Sequence, residues 1–182
     1  MSKEIIRGTF ATDAGMLALW NGECFDGVID YETWEHELIE DADIERHIRA
    51  GAFVPIYINS DGAFECVVRT ADESGPACLS DREQQYHFMT SQPYLFRGGE
   101  VRLSGIEKIE ADPAGTIGRY SLKAQDYAVT VSMISWDDEP GAKDESGAPT
   151  PTALPDFVIL MNIADTGSGS FRTSVQTFDR PQ

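Results

Sequence analysis

Apolar and polar residues alternate in short runs along most of the chain, and turn residues bound the runs. A period of two is typical of strands with one buried face. It predicts strands at 3–10, 15–20, 52–58, 63–70, 84–89, 93–97, 100–103, 116–122, 127–136, 154–163 and 171–178. Because these strands do not alternate with helices, a parallel α/β sheet is disfavoured. We expect a mainly β, α+β fold, either an antiparallel β-sandwich or a strongly bent sheet.

Turn residues separate several of these strands. Residues 11–14 read Ala-Thr-Asp-Ala, and residues 59–62 read Asn-Ser-Asp-Gly. Both sequences are typical of hairpin turns, so we expect the strands on either side of each to pair. Gly98-Gly99 predicts a third tight turn, and residues 164–169 predict a turn before the last strand.

One helical insert, at about residues 31–50, interrupts the strands. Trp34 and Leu38 are four positions apart, and a second apolar pair with the same spacing follows. The apolar stripe shifts phase near Asp41, which predicts two short helices with a break between them. Asp30 is the predicted N-cap, and Gly51 is the predicted C-cap.

The chain length suits a single domain over residues 1–182. Residues 137–152 contain Pro, Gly and charged residues but no apolar residue larger than Ala. We therefore expect a flexible acidic loop that joins two strands pairing as neighbours.

The charge is strongly unbalanced, with 31 acidic and 14 basic residues and a formal net charge of −17. This balance argues against binding to nucleic acid and to anionic membranes, both of which need clustered Lys and Arg. Ten carboxylates and no Lys or Arg lie between residues 23 and 45. Such a run favours docking to a basic partner, with solubility or salt adaptation as the alternative reading.

We predict a basic protein partner, a toxin or a nuclease, that docks on this acidic helical face. Trp34 lies inside the run, and a Trp among acids suits the capture of an Arg-rich surface. The oligomeric state stays open. The predicted partner-binding residues are Asp30, Glu32, Trp34, Glu35, Glu37, Glu40, Asp41 and Asp43.

Local motifs for metal binding and catalysis are incomplete. Glu32, His36 and Glu40 share one helix face, but Glu40 stands where a zincin helix needs its second His. The acidic residues from Asp41 onward begin like a calcium loop without its glycine. No nucleophile elbow occurs, and Gly167-Ser168-Gly169-Ser170 precedes no helix, so it predicts a flexible turn instead of a phosphate loop. We predict no catalytic residue, no metal site and no cofactor.

The N-terminal sequence has no apolar run of signal-peptide length. Three cysteines without a C-x-x-C pair argue against a disulfide framework. These features predict a cytoplasmic protein with reduced thiols.

Residues 120–131 read YSLKAQDYAVTV. This phrase resembles a strand–turn–strand segment of competence protein J-type proteins, which are bacterial inhibitors of a partner nuclease. The likeness extends through Trp136 to the strand at 154–163, about a quarter of the chain. It carries over no functional residue. The resemblance implies an acidic, cytoplasmic binding protein of the immunity or inhibitor type.

Two alternatives stay open. One is a small enzyme or ligand-binding β-sandwich in which the loop at 137–152 acts as a lid. The other is a phage accessory or counter-defence protein.

Overall fold

The structure is a computed structural model that describes residues 2–73, 75–165 and 169–179. Ten strands occur in the described chain: β1 (Lys3–Thr12), β2 (Met16–Asn21), β3 (Phe53–Tyr57), β4 (Gly62–Thr70), β5 (His87–Thr90), β6 (Tyr94–Arg97), β7 (Glu100–Gly105), β8 (Gly118–Ser121), β9 (Asp126–Ile134) and β10 (Phe157–Ile163). The α-helices are α1 (Tyr31–Leu38), α2 (Asp41–Arg49) and α3 (Asp81–Gln85). Short 3₁₀ turns occur at Gly22–Phe25, Ile106–Lys108 and Trp136–Asp138.

The strands form two sheets. The larger sheet has the order β1-β4-β10-β9-β5, with β6 also pairing with β9, and the smaller sheet has the order β3-β2-β7-β8. The mainly β fold with one helical insert is therefore confirmed. One detail differs from the antiparallel expectation, because β10 runs parallel to β4 while it runs antiparallel to β9.

The main core lies between the two sheets and under the helical insert. Trp20, Phe53, Tyr94 and Phe96 are fully buried there. Strand β10 contributes to two apolar clusters. Phe157, Ile159 and Met161 enter the main core, whereas Val158 and Leu160 pack in a second, smaller cluster on the other face. The first five residues of β10 are buried and all apolar, as is typical of a strand that is covered on both faces.

The two predicted hairpins are wrong. Strand β1 pairs with β4, whereas β2 pairs with β3 and β7 in the other sheet. The two turns meet instead, because the backbone N–H groups of Ile58 and Asn59 both donate to the Gly15 carbonyl, at 2.9 and 3.0 Å. Gly15 has φ +70°, and a Cβ there would crowd Asn59 and Ser60. Both turns therefore carry the chain between the sheets at one corner.

The tight turn at Gly98-Gly99 also joins strands of different sheets, β6 and β7. The predicted strand at 84–89 is corrected as well, since α3 occupies its first residues and the strand covers His87–Thr90.

The expected closing strand at 171–178 is absent from the described chain. Thr177 makes a single bridge to Tyr57, and the Phe178 N–H donates to the Tyr57 carbonyl at 2.8 Å. Buried Phe178 packs edge-on against Phe157, with ring centroids 5.6 Å apart. Side-chain anchoring thus replaces a hydrogen-bonded ladder. The predicted turn before it, and the Gly-Ser segment there, lie partly outside the described residues, at 166–168.

Strands β9 and β10 pair as neighbours, as predicted for the strands that the long loop joins. Within the loop, Lys143 and Pro149 form an isolated antiparallel β-bridge. Arg82 of α3 forms a two-pronged ion pair with Glu139 of the loop, at 2.6 Å for each bond. The flexibility of residues 137–152 stays a prediction. Over the described ranges, no helix has the length and apolarity needed to span a bilayer.

Candidate functional site

The acidic helical insert comprises α1 and α2, which lie between the paired strands β2 and β3. Asp30 caps α1, since its carboxylate accepts from the Thr33 N–H at 2.9 Å and the Thr33 hydroxyl accepts from the Asp30 N–H at 3.1 Å. The predicted cap and the break before Asp41 are both confirmed. Apolar residues Leu38, Ile44 and Ile48 are buried and hold the insert on the core.

Basic residues just beyond the acidic run neutralise part of it. Arg46 pairs with Glu37 at 3.1 Å and with Asp43 at 3.0 Å, and Arg49 pairs with Glu45 at 2.8 Å. The repulsion expected within the run is therefore partly relieved. Two of the predicted docking residues, Glu37 and Asp43, already have a cationic partner.

Glu37 also contacts buried His47, with 2.9 Å between the carboxylate and Nε2. Burial alone would raise the pKa of Glu37, but Arg46 and His47 together hold it below the usual value. The pKa of His47 is lowered, first by burial and then by the Arg46 charge, despite the opposing effect of Glu37. This cluster holds α1 on α2 and does not present a free carboxylate.

The remaining predicted acids are different. Glu32, Glu35, Glu40 and Asp41 form no salt bridge with any described residue. Glu32, Glu40 and Asp41 are exposed, and Glu35 is half-buried. Hydrogen bonding to Glu35 raises the pKa of the Tyr31 phenol.

The eight predicted residues do not converge on one cleft. Asp30 and Trp34 line a cleft at the start of α1, Glu37 lines a second with Cys24 and both helical histidines, and Asp41 lines a third near Tyr57. The structure therefore presents an extended acidic surface on the helices, with shallow clefts around it.

The cleft at the start of α1 has a volume of about 270 Å³ and is both aromatic and acidic. We call it the α1 cleft; its lining residues are Val28, Asp30, Tyr31, Trp34, Glu107, Ile109 and Glu110. Next to it, Ile29 is 71% exposed and Tyr31 is 69% exposed. Contiguous exposed apolar side chains are typical of interaction sites.

Five lining residues of this cleft escaped the sequence analysis: Val28, Tyr31, Glu107, Ile109 and Glu110. Ile29 and Tyr31 flank Asp30, and apolar residues on either side of a predicted N-cap were an available signal. Glu107 and Glu110 lie far along the chain and reach the cleft only because the segment after β7 folds against α1. Sequence spacing carries no signal for that approach.

The indoles of the other two tryptophans make hydrogen bonds within the fold. The Trp20 indole N–H donates to the Ser104 hydroxyl at 3.1 Å, and the Trp136 indole N–H donates to Asp156 at 2.8 Å.

Within the described chain, no three His, Cys, Asp or Glu side chains form a group that could hold a metal ion. Burial, followed by the Glu23 charge, raises the pKa of Cys24, which disfavours the thiolate.

The proposed lid loop contributes Pro149 to another open cleft, of about 310 Å³, lined by Phe64, Trp136 and Phe157 among others. Asp156 is a polar group in that cleft, and it accepts from the Glu65 N–H at 2.9 Å and from the Trp136 indole. Its oxygens are therefore already used by the fold.

No family model matches the sequence, and no curated protein matches it. Two solved structures share its fold. ComJ from Bacillus subtilis, described as an inhibitor of the DNA degrading activity of NucA, has 9% identity and a TM-score of 0.50, covering 90% of this chain and 99% of its own. A protein described as crocagin biosynthetic gene J has 12% identity and a TM-score of 0.52, covering 90% and 98%. The structural resemblance to the competence protein J type therefore extends far beyond the quarter of the chain recognised in the sequence.

Proposed function

We propose that this chain is a non-enzymatic protein of the inhibitor or immunity type that docks a basic protein partner through its acidic helical face. The observation that carries the proposal is the surface of α1 and α2, where Glu32, Glu40 and Asp41 are exposed and unpaired among the described residues. Exposed Tyr31 and Ile39 lie on the same two-helix unit. Apolar anchors within a charged surface suit a protein partner.

A nuclease is the partner class we favour. The fold is shared with ComJ, whose description names it as an inhibitor of a DNA-degrading protein. Enzymes that act on DNA carry basic surfaces for the phosphate backbone, and an acidic face complements such a surface. The cytoplasmic location remains a prediction.

The test compares two triple variants of equal charge change. E32K/E35K/E40K reverses acids that lack an ion pair in the described chain, and it spares Glu37, whose loss would disturb the helix contact. The control D61K/D138K/E145K reverses exposed acids that lie outside α1 and α2. A partner is captured from the native host at low salt and purified, and its affinity is measured with both variants.

We expect the helical variant to bind the purified partner about 100-fold more weakly, if each reversal costs about 1 kcal/mol. Binding by the wild-type protein should weaken steeply as salt is raised. Equal affinity for the two variants would show that the acidic helical face is not the docking surface.

A further inference from the structure

The α1 cleft has a fixed aromatic wall. The rings of Tyr31 and Trp34 are nearly parallel, with centroids 6.1 Å apart and planes 12° apart. The indole N–H of Trp34 donates to the Ile106 carbonyl at 2.9 Å, which ties that ring to the segment after β7. The Trp34 side of the wall is therefore anchored, and the Tyr31 ring, which is 69% exposed, lies parallel to it.

Carboxylates complete the cleft, and its lining contains no basic side chain among the described residues. Glu107 accepts from the Thr12 hydroxyl at 3.0 Å, and Glu110 accepts from the Ala114 N–H at 3.2 Å. Asp30 is held by its capping bonds to Thr33. Each carboxylate is thus positioned by one neighbour while it retains further lone pairs for a donor.

This combination selects the chemistry of the occupant. An apolar group would have to desolvate nearby carboxylates without compensation. A guanidinium is planar, weakly hydrated and stacks on aromatic faces, and it donates several hydrogen bonds at once to carboxylates. A lysine ammonium is compact and strongly hydrated, so it would use the carboxylates but gain less from the ring wall.

We propose that the α1 cleft receives an arginine side chain of the basic partner, with Tyr31 and Trp34 as the stacking wall and Glu107 and Glu110 as acceptors. This inference rests on the proposed function, and it identifies the place on the helical face where the partner is anchored. Exposed Ile29 beside the cleft contacts the apolar residues that flank this arginine on the partner. Arginine set in a desolvated aromatic pocket is a frequent interface hot spot.

The test uses hexa-arginine and hexa-lysine peptides of equal charge as probes of the intact protein. Their affinities are measured by calorimetry at low salt, and the Trp34 indole N–H signal is followed by NMR, with W34F assigning the signal. The test variant is E107Q/E110Q, which preserves the shape of both side chains, removes their charge and leaves each with one acceptor oxygen. The matched control is D61N/E145Q, which removes two exposed charges away from the cleft.

We expect hexa-arginine to bind about tenfold more tightly than hexa-lysine and to shift the Trp34 signal. E107Q/E110Q should abolish that preference, and D61N/E145Q should preserve it. Equal affinity for the two peptides, or a preference that survives E107Q/E110Q, overturns the arginine cleft. Neither result refutes docking on the helical face, because that proposal is tested separately, by the affinity of E32K/E35K/E40K for the captured partner.

Discussion

Replacing Glu83 by Gln should lower the free energy of unfolding by about 3–5 kcal/mol, the usual cost of removing one partner from a buried ion pair. Glu83 is 2% exposed, and its two oxygens accept from the Arg69 guanidinium at 2.6 and 2.7 Å. One of those oxygens also accepts from the Ser80 N–H at 2.7 Å. Gln keeps the shape but leaves a mostly buried guanidinium without its counter-charge.

The magnitude follows from the bonds that change. Two charge-assisted hydrogen bonds at about 1.5–3 kcal/mol each are weakened, while the Ser80 bond can persist. A loss of this size is a large part of a total stability of about 5–15 kcal/mol. With a urea m-value of about 2 kcal/mol per molar, the unfolding midpoint should fall by about 2 M.

The assay is urea unfolding followed by tryptophan fluorescence, since Trp20 is fully buried. E139Q is the matched control, because Glu139 forms a similar two-pronged pair with Arg82, whose side chain is 48% exposed and therefore screened by water. We expect E139Q to move the midpoint far less than E83Q. A loss below about 1 kcal/mol for E83Q, the range of exposed pairs, would refute the reasoning.

The pH dependence offers a second check on the same pair. Burial alone would raise the pKa of Glu83, but hydrogen bonds from Arg69 and Ser80 outweigh it and leave the pKa lowered. The contribution of Glu83 is therefore fully present above the ordinary glutamate pKa of about 4.3 and is lost as pH falls through the lowered value. The stability gap between wild type and E83Q should narrow in that acidic range.

Three further outcomes are expected. G98A should lower the melting temperature, because a Cβ at Gly98 would collide with neighbouring backbone carbonyls, whereas G27A, with open space around it, should be nearly neutral in a thermal melt. H47Q should remove a loss of stability that the wild type shows as pH falls below about 6.5, because burial and Arg46 lower the pKa of His47 and the unfolded chain therefore takes up the proton at a higher pH than the native chain does. Equal pH profiles for both proteins would contradict this. In thiol labelling of the native protein, Cys78 and Cys24 should react without unfolding, with Cys24 slowed by its raised pKa, whereas buried Cys66 should react only at the rate of unfolding.

Local sequence patterns predicted the elements well and their pairing poorly. The alternation of residues located most strands, and the Asp30 cap located the start of α1. Both predicted hairpins failed because turn residues report backbone conformation and not the strand that pairs afterwards. The turn at 59–62 contains Asn59 with φ +58°, which serves an inter-sheet corner as well as a hairpin.

The candidate site shows the same limit. Counting acids along the chain identified the run at residues 23–45 as a docking face, but Arg46 and Arg49, just beyond that run, neutralise some of its acids. Glu107 and Glu110 were missed because they reach the α1 cleft from a distant segment. Docking by the eight predicted residues stays a prediction, and the structure indicates which of them are available for it.

The acidic helices form an excursion between β2 and β3, two strands that pair directly with each other. The free energy of closing such an excursion changes slowly with its length. Its inner side is constrained by buried Leu38, Ile44 and Ile48, whereas Glu32, Glu40 and Asp41 on its outer side are exposed. Substitutions at the outward residues of α1 and α2 could therefore change which partner is bound while both sheets stay the same.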